Sequence, residues 1–208
     1  MLIPVSDYTN DFSKFKSHTL ASYLEPIRAM IYLFDNYIAA ASGSTIIIFD
    51  VSTATLICTL VEHKDIITTL VYLKDGFFVS GAKDNDIIIW SKEKNQCVVL
   101  KILKEHKKPI TAILVVNNTI VSAAEDGIIK FWHVENMLNF ISDSASYAAI
   151  VGENIFATKI TSISVDGTIL LITGCNNGSI QIWREETAQR RYKKYSLYQH
   201  IKEKFWHC

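Results

Sequence analysis

Four stretches of the chain share one order of residue types: small, then polar, then β-branched. Residues 39–50 read AAASGSTIIIFD, 80–91 SGAKDNDIIIWS, 122–133 SAAEDGIIKFWH and 173–184 TGCNNGSIQIWR, aligned without gaps. The small residues suit a crowded strand and the polar ones a tight hairpin turn. The isoleucine-rich run with its aromatic end reads as a second strand. The closing aromatics Phe49, Trp90, Trp132 and Trp183 lie 41, 42 and 51 residues apart, so about nine residues are inserted before the fourth unit. Further apolar runs precede the central stretches (66–73 and 110–116) and follow the first three (55–61, 98–103 and 137–141).

Each period thus holds four short strands, with helical spacing hinted at only after Arg184. Four strands in roughly 40–45 residues is the pattern of a propeller blade. The expected fold class is all-β, a propeller of about four blades over 27–63, 64–106, 107–150 and 151–200. Residues 1–26 form an N-terminal extension, with a candidate closing strand in 8–20 around His18, and 201–208 form a tail.

Composition narrows the function classes. The chain has 208 residues, 49% of them apolar and 20% charged, which excludes a disordered or fibrous chain. A chain of this size buries roughly 70% of its unfolded surface. Lys and Arg match Asp and Glu at 21 each, so overall charge does not point to nucleic acid. Cys58, Cys97, Cys175 and Cys208 are scattered without a CxxC pair, which reads as a reducing, intracellular setting, cytoplasmic or nuclear. The N-terminus lacks a signal-peptide pattern, and the apolar region 30–49 is broken by Asp35, Asn36, Ser42, Gly43 and Ser44, so no membrane span is expected.

Two periods carry a recurring polar set: His63, Ser80, Asp84 and Trp90, then His106, Ser122, Asp126 and Trp132. In both, Ser to Asp is four residues and Asp to Trp six. These residues resemble the WD-repeat family, which places a His before a blade, a Ser or Thr on its second strand, an Asp in the next turn and a Trp on the third strand. The family's Gly before His is here Glu62 and Glu105, and its Asp after Trp is Ser91 and His133. In the fourth unit Thr173, Asn177 and Trp183 fit, but Phe156 stands where His is expected. The first unit has Ala39, Gly43 and Phe49 at the three later positions, so no network is expected there and Ala39 or Gly43 should tolerate polar substitution better than Asp84 or Trp90.

The resemblance implies a hydrogen-bonded chain from Trp indole to Ser hydroxyl to His to Asp. Every buried polar atom is then satisfied, and losing one member strands the rest at about 1–3 kcal/mol. His, Ser and Asp also have the composition of a nucleophilic triad. The set recurs in successive units and neither serine sits in a G-x-S-x-G elbow, so no enzyme is expected. No Walker loop or dinucleotide fingerprint occurs, and His200, His207 and Cys208 lack metal-ligand spacing, so no cofactor or metal is expected. Cys58 and Cys97 fall at matching fourth-strand positions, where a small apolar residue is the plain reading.

The resemblance implies a non-catalytic scaffold whose loops bind protein partners. Candidate contacts are Lys64, Asp65, Lys83, Asn85, Lys107, Lys108 and Glu125, whose lysines would suit an acidic or phosphorylated segment. Residues 184–208 carry seven Lys or Arg against three Glu, centred on Arg190, Arg191, Lys193 and Lys194 interleaved with tyrosines. This segment reads as a charged edge strand, since lysine on an edge blocks sheet pairing. The alternative is an RNA-associated component of a ribosome-assembly or RNA-processing complex. His200 lies 17 residues after Trp183, where the loop opening another blade is expected, and the chain ends eight residues later. Four blades leave a sheet face uncovered at each end. The expectation is an incomplete ring closed by another chain, by self-association or by sequence beyond these residues, with a tight four-bladed ring as the alternative.

Overall fold

The computed structural model describes residues 19, 22–93, 96–134, 147–152, 154–186 and 194–201. These form sixteen strands and, among the described residues, no helix. The first sheet holds β1 (Ile27–Tyr32), β2 (Tyr37–Ser42), β3 (Thr45–Asp50) and β4 (Thr55–Leu60). The second holds β5 (Ile67–Lys74), β6 (Phe77–Ala82), β7 (Ile87–Glu93) and β8 (Gln96–Leu103). The third holds β9 (Ile110–Val116), β10 (Thr119–Ala124), β11 (Ile128–His133) and β12 (Tyr147–Ile150), and the fourth β13 (Ala157–Val165), β14 (Thr168–Cys175), β15 (Ile180–Glu186) and β16 (Lys194–Ile201). Each sheet is an antiparallel meander in chain order. Among the described residues the chain is an all-β propeller of four blades with an incomplete ring.

Local chemistry explains the hairpins. Asp75 and Gly76, Asn117 and Asn118, and Asp166 and Gly167 all have positive φ in the turn after the first strand of their sheets. Paired positive φ is the geometry of a two-residue type I′ turn, which suits strand twist and selects Asn, Asp and Gly. Gly76 is also needed for space, because a Cβ there would lie 2.8 Å from the Lys92 carbonyl oxygen.

The sheets stack face to face in chain order, with β1 beside β5, β5 beside β9 and β9 beside β13. No packing of that extent joins β13 to β1 among the described residues. Each sheet therefore has a rear face toward the preceding sheet and a front face toward the following one. Between the first and second, Ala39, Ala41, Ile46 and Ile48 meet Phe78, Ile88 and Trp90. Between the second and third, Val79, Ile87 and Ile89 meet Ile120, Ala124 and Trp132. Between the third and fourth, Val121, Ile129 and Phe131 meet Leu171, Cys175 and Trp183. Central strands are covered on both faces, which is why β7 reads Ile-Ile-Ile without polar alternation.

A threonine ties two of these joints. Thr68 and Thr111 each follow the residue that opens the inner strand. The Thr68 hydroxyl reaches the Gly81 carbonyl of its own sheet (3.0 Å) and the Ile110 carbonyl of the next (2.7 Å). The Thr111 hydroxyl reaches the Ala123 carbonyl and, in the next sheet, the Ala157 carbonyl. Thr158 repeats the inner contact, to the Gly174 carbonyl at 2.9 Å, with no further sheet among the described residues. In the first sheet the register places Arg28 at this position, so the first joint lacks the tie.

Several expectations are corrected. The gapless alignment is one residue out in the first sheet. Phe49 pairs with Ile38 as Trp90 pairs with Phe78, so Ala40, not Ala39, is the counterpart of Ser80. The cause is a β2–β3 hairpin one residue shorter: Ala41 pairs with Ile46, whereas Gly81 pairs with Ile87. Ala39 is fully buried in the first joint and Gly43 has φ of +57° beside Glu25, so neither site tolerates a larger polar side chain freely. The outer strand of the third sheet is β12, whereas 137–141 lie outside the described residues, as do His18 and all but one residue of 8–20. Arg184 continues β15 to Glu186, and the segment 187–193 lies outside the described residues. His200 does not open another blade: it lies inside β16, paired with Gln181. The segment joining β15 to β16 is longer than that joining β7 to β8, which shifts the outer strand along the sequence.

Candidate interaction surfaces

In the second sheet, the Trp90 indole N–H donates to Ser80 Oγ at 2.8 Å, and Ser80 Oγ lies 2.7 Å from His63 Nε2. His63 Nδ1 lies 2.8 Å from Asp84 Oδ2. A carboxylate only accepts, so the Nδ1–H of His63 donates to Asp84. Asp84 also accepts from the Lys64 and Asp86 backbone N–H groups. The third sheet repeats this: Trp132 to Ser122 at 2.9 Å, Ser122 to His106 at 2.8 Å and His106 to Asp126 at 2.9 Å. Burial works to raise the Asp126 pKa, but the His106 hydrogen bond, the Lys107 N–H, the charge of His106 and the Ile128 N–H outweigh it and hold the carboxyl below its usual range.

The fourth sheet keeps only part of the set. The Trp183 indole donates to Thr173 Oγ1 at 3.1 Å. Asn177 does not join that pair: its side-chain oxygen accepts from the Ser179 N–H and hydroxyl within its own turn. Its neighbour Asn176 takes the inter-loop role, accepting from the Phe156 N–H at 3.0 Å. Phe156 does not occupy the His position: its carbonyl accepts from the Asn176 N–H as Ile66 O does from Lys83 and Pro109 O from Glu125. A longer β13–β14 hairpin thus puts the His position four residues before β13, at 153, outside the described residues. Gln181 anchors the preceding loop, its amide N–H donating to the Val151 carbonyl at 3.1 Å.

The network sets one rim. The loop into β5, with Lys64 and Asp65, is tied to the β6–β7 turn, with Lys83 and Asn85, by the His63–Asp84 bond and by Lys83 N–H to Ile66 O. The loop into β9, with Lys107 and Lys108, is tied to Glu125 in the β10–β11 turn by His106–Asp126 and by Glu125 N–H to Pro109 O. Lys64, Asp65, Lys83, Lys107, Lys108 and Glu125 are exposed, and Asn85 is half-buried with φ of +72°. Asp65 turns back on itself, accepting from the Ile66 N–H. Of the basic cluster, Arg190, Arg191 and Lys193 lie outside the described residues, and Lys194 opens β16 opposite Glu186, on the outer edge of the fourth sheet.

The front face of the fourth sheet is a surface the motif spacing does not reveal. By register, Ile172, Ile180 and Ile182 occupy the positions of Val79, Ile87 and Ile89 and of Val121, Ile129 and Phe131. Ile87 and Ile129 are 0% and 1% exposed, whereas Ile180 is 45% exposed and Ile172 and Ile182 are only half-buried. Ile163 and Val165 on β13 are exposed as well. Gly81 shows the contrast sterically. A Cβ there would meet Ile110 at 2.6 Å, whereas at the equivalent Gly174 it would meet nothing within 4 Å. The opposite end is less open than the sequence implies: Met30 and Tyr32 are exposed on β1, but Ala40, Ile47 and Phe49 on the same rear face are buried.

Also missed were Thr68 and Thr111, although each stands second in its inner strand behind an isoleucine, a repeat visible in retrospect. No helix among the described residues is long and apolar enough to cross a membrane. No group of three or more His, Cys, Asp or Glu among them is arranged to hold a metal ion.

Residues 54–91, 97–133 and 154–184 match the family described as WD domain, G-beta repeat. The chain is 27% identical over 190 residues to a pre-mRNA-processing factor 19 of Oryza sativa subsp. japonica, covering 87% of this chain and 34% of that protein. It is 26% identical over 152 residues to a p21-activated protein kinase-interacting protein 1-like of Danio rerio, covering 65% of this chain and 41% of that one. The chain therefore spans less than half the length of these curated relatives. Among solved structures, the computationally designed Ika4 protein superposes with a TM-score of 0.62 at 26% identity, covering 80% of this chain and 95% of that one. With the repeated four-stranded sheets, the shared hydrogen-bond set and a family match over half its length, the chain belongs to the WD-repeat family.

Proposed function

We propose that the chain is a non-catalytic scaffold that docks protein partners, and that the front face of its fourth sheet receives a further propeller sheet supplied by another chain. WD repeats act generally as protein-interaction scaffolds, and the family is generally non-catalytic. The carrying observation is the uncovered Ile180 position, buried at both preceding joints. The occupant follows from continuity with those joints. It would present an apolar rear face and, at the start of its inner strand, a carbonyl to accept from the Thr158 hydroxyl as Ile110 does from Thr68. A second copy is a poorer fit, because Ala40, Ile47 and Phe49 on its own rear face are already covered. The His–Ser–Asp sets do not act as triads in this reading: Ser80 and Ser122 are 0% exposed, and each hydroxyl oxygen already accepts an indole proton.

Light scattering with a hydrophobic dye tests the docking face. The expected result is a monomer that binds dye, with binding cut by Ile180→Lys and by Gly174→Arg while the circular dichroism is unchanged. A monomer that binds no dye overturns the open-face reading. A concentration-dependent dimer abolished by Gly174→Arg makes the second copy the occupant. The exposed rim lysines Lys64, Lys83, Lys107 and Lys108 offer a separate contact for an acidic protein segment. Charge reversal there should weaken such a complex without altering dye binding.

A second reading, an RNA-associated component, draws on Arg190, Arg191, Lys193 and Lys194 and on the pre-mRNA-processing name of the rice relative. Removing 184–208 is no test, because it deletes β16 and most of the end of β15. Replacing Arg190, Arg191 and Lys193 by Ser keeps the strand. Salt-dependent binding to single-stranded RNA that is lost in this variant would favour RNA. An intracellular, cytoplasmic or nuclear location belongs to either reading.

A further inference from the structure

Cys58 on β4 and Cys97 on β8 are 39 residues apart in sequence and belong to different sheets, yet their sulfurs lie 3.2 Å apart. Both are free and half-buried, so a small oxidant can reach them. A disulfide bond is about 2.05 Å long, so roughly 1 Å of movement closes it. That movement falls on outer strands, which are held by a sheet neighbour on one side only. Lys92 pairs with Cys97 across β7 and β8, and its buried ammonium lies 4.2 Å from the centre of the Tyr37 ring, at the same joint.

We propose that Cys58 and Cys97 are a reversible redox pair whose disulfide, formed by hydrogen peroxide, clamps the first sheet to the second. The inference is independent of the scaffold reading and concerns a different joint. The Cys58 thiolate attacks one peroxide oxygen and the O–O bond breaks, giving a sulfenic acid and hydroxide, which takes a proton to become water. Cys97 sulfur then attacks the Cys58 sulfur. The S–S bond forms, the S–O bond breaks, and the departing hydroxide leaves as a second water with the Cys97 proton. The two thiols lose two electrons and the peroxide gains them; a dithiol reductant reverses the change.

The assignment of attacking and resolving sulfurs follows from their surroundings. The hydrogen bond with Cys97 holds the Cys58 thiol below its usual range, against burial and with help from the Lys92 charge. The same contact pushes Cys97 upward, with burial, so Cys97 keeps its proton while Cys58 reacts. The clamp falls at the one joint between consecutive sheets that lacks a threonine tie, where Arg28 stands in the register position of Thr68.

The test is peroxide treatment of the purified full chain, followed by peptide mass mapping, thiol counting and thermal melts. Expected are a 58–97 cross-linked peptide lighter by two hydrogens, loss of two of the four thiols, and a Tm higher by roughly 5–15 °C, the scale for a cross-link spanning a loop of this length. Dithiothreitol should reverse all three. Cys58→Ser and Cys97→Ser should each abolish the Tm gain. Separate oxidation of the two cysteines to sulfinic acids, cross-links to Cys175 or Cys208, or a Tm gain that survives Cys58→Ser would each overturn the proposal. Peptide mapping of the wild-type chain decides the matter even if a serine variant folds poorly.

Discussion

Polar side chains inside the joints are committed to one another, so the cost of removing one depends on what it strands. Asp84→Ala leaves the His63 ring N–H and the Lys64 and Asp86 backbone N–H groups without their acceptor. A loss of about 1–3 kcal/mol is expected, read from denaturant midpoints. Trp90→Ala removes an indole that fills the first joint and serves Ser80, and about 3–5 kcal/mol is expected. Both variants melting at wild-type stability would reject the network as a source of stability. The lowered Asp126 pKa gives a pH dependence with a definite sign. A carboxyl with a depressed folded pKa stabilises above its unfolded value, near 3.8, and loses that contribution as pH falls through the lower folded value. Denaturation midpoints should therefore drop more steeply below about pH 4 in the wild type than in Asp126→Asn. At this scale the full sets were legible from spacing, because all their members come from one sheet and the loop that enters it. The division of labour between Asn176 and Asn177 was not. Adjacent identical residues differ only in where the turn aims them.

Joints between sheets repeat the same contacts with different occupants. Gly81→Ala drives a methyl into Ile110 and Ile113 of the next sheet, so destabilisation is expected. Gly174→Ala, at the equivalent place on the uncovered face, meets nothing and should be neutral or slightly stabilising through reduced chain entropy. Paired thermal melts check this contrast, and equal losses at both sites would mean that the fourth sheet is covered. Thr68→Val keeps the shape but removes the hydroxyl shared between the Gly81 and Ile110 carbonyls. A loss of about 1 kcal/mol, or roughly 2–4 °C in Tm, is expected. Strand positions were largely readable in the sequence because both faces of the central strands are buried and the residues are β-branched. The first sheet misled by one residue, since a gapless alignment cannot detect a shortened hairpin. The outer strand of the third sheet misled because an apolar run, 137–141, lay nearer than the strand that pairs.

Across the whole molecule, protection should follow the number of covered faces. β6, β7 and β10 are buried almost throughout, whereas β13 is exposed over much of its length. Hydrogen exchange should be slowest in β6, β7 and β10 and faster in β13. Slow exchange in β13 equal to that in β10 would indicate a covered front face. The sequence by itself determined the strand class, the period, the number of sheets and the membership of two hydrogen-bond sets, because these follow from residue types at short, fixed separations. Only the tertiary structure decided which face of each strand is covered, that Ile180 lies open while Ile87 and Ile129 are buried, and that Cys58 and Cys97 meet. Those outcomes depend on how separate sheets stack. Stacking brings together residues tens of positions apart, a relation that no local pattern of polar and apolar residues records.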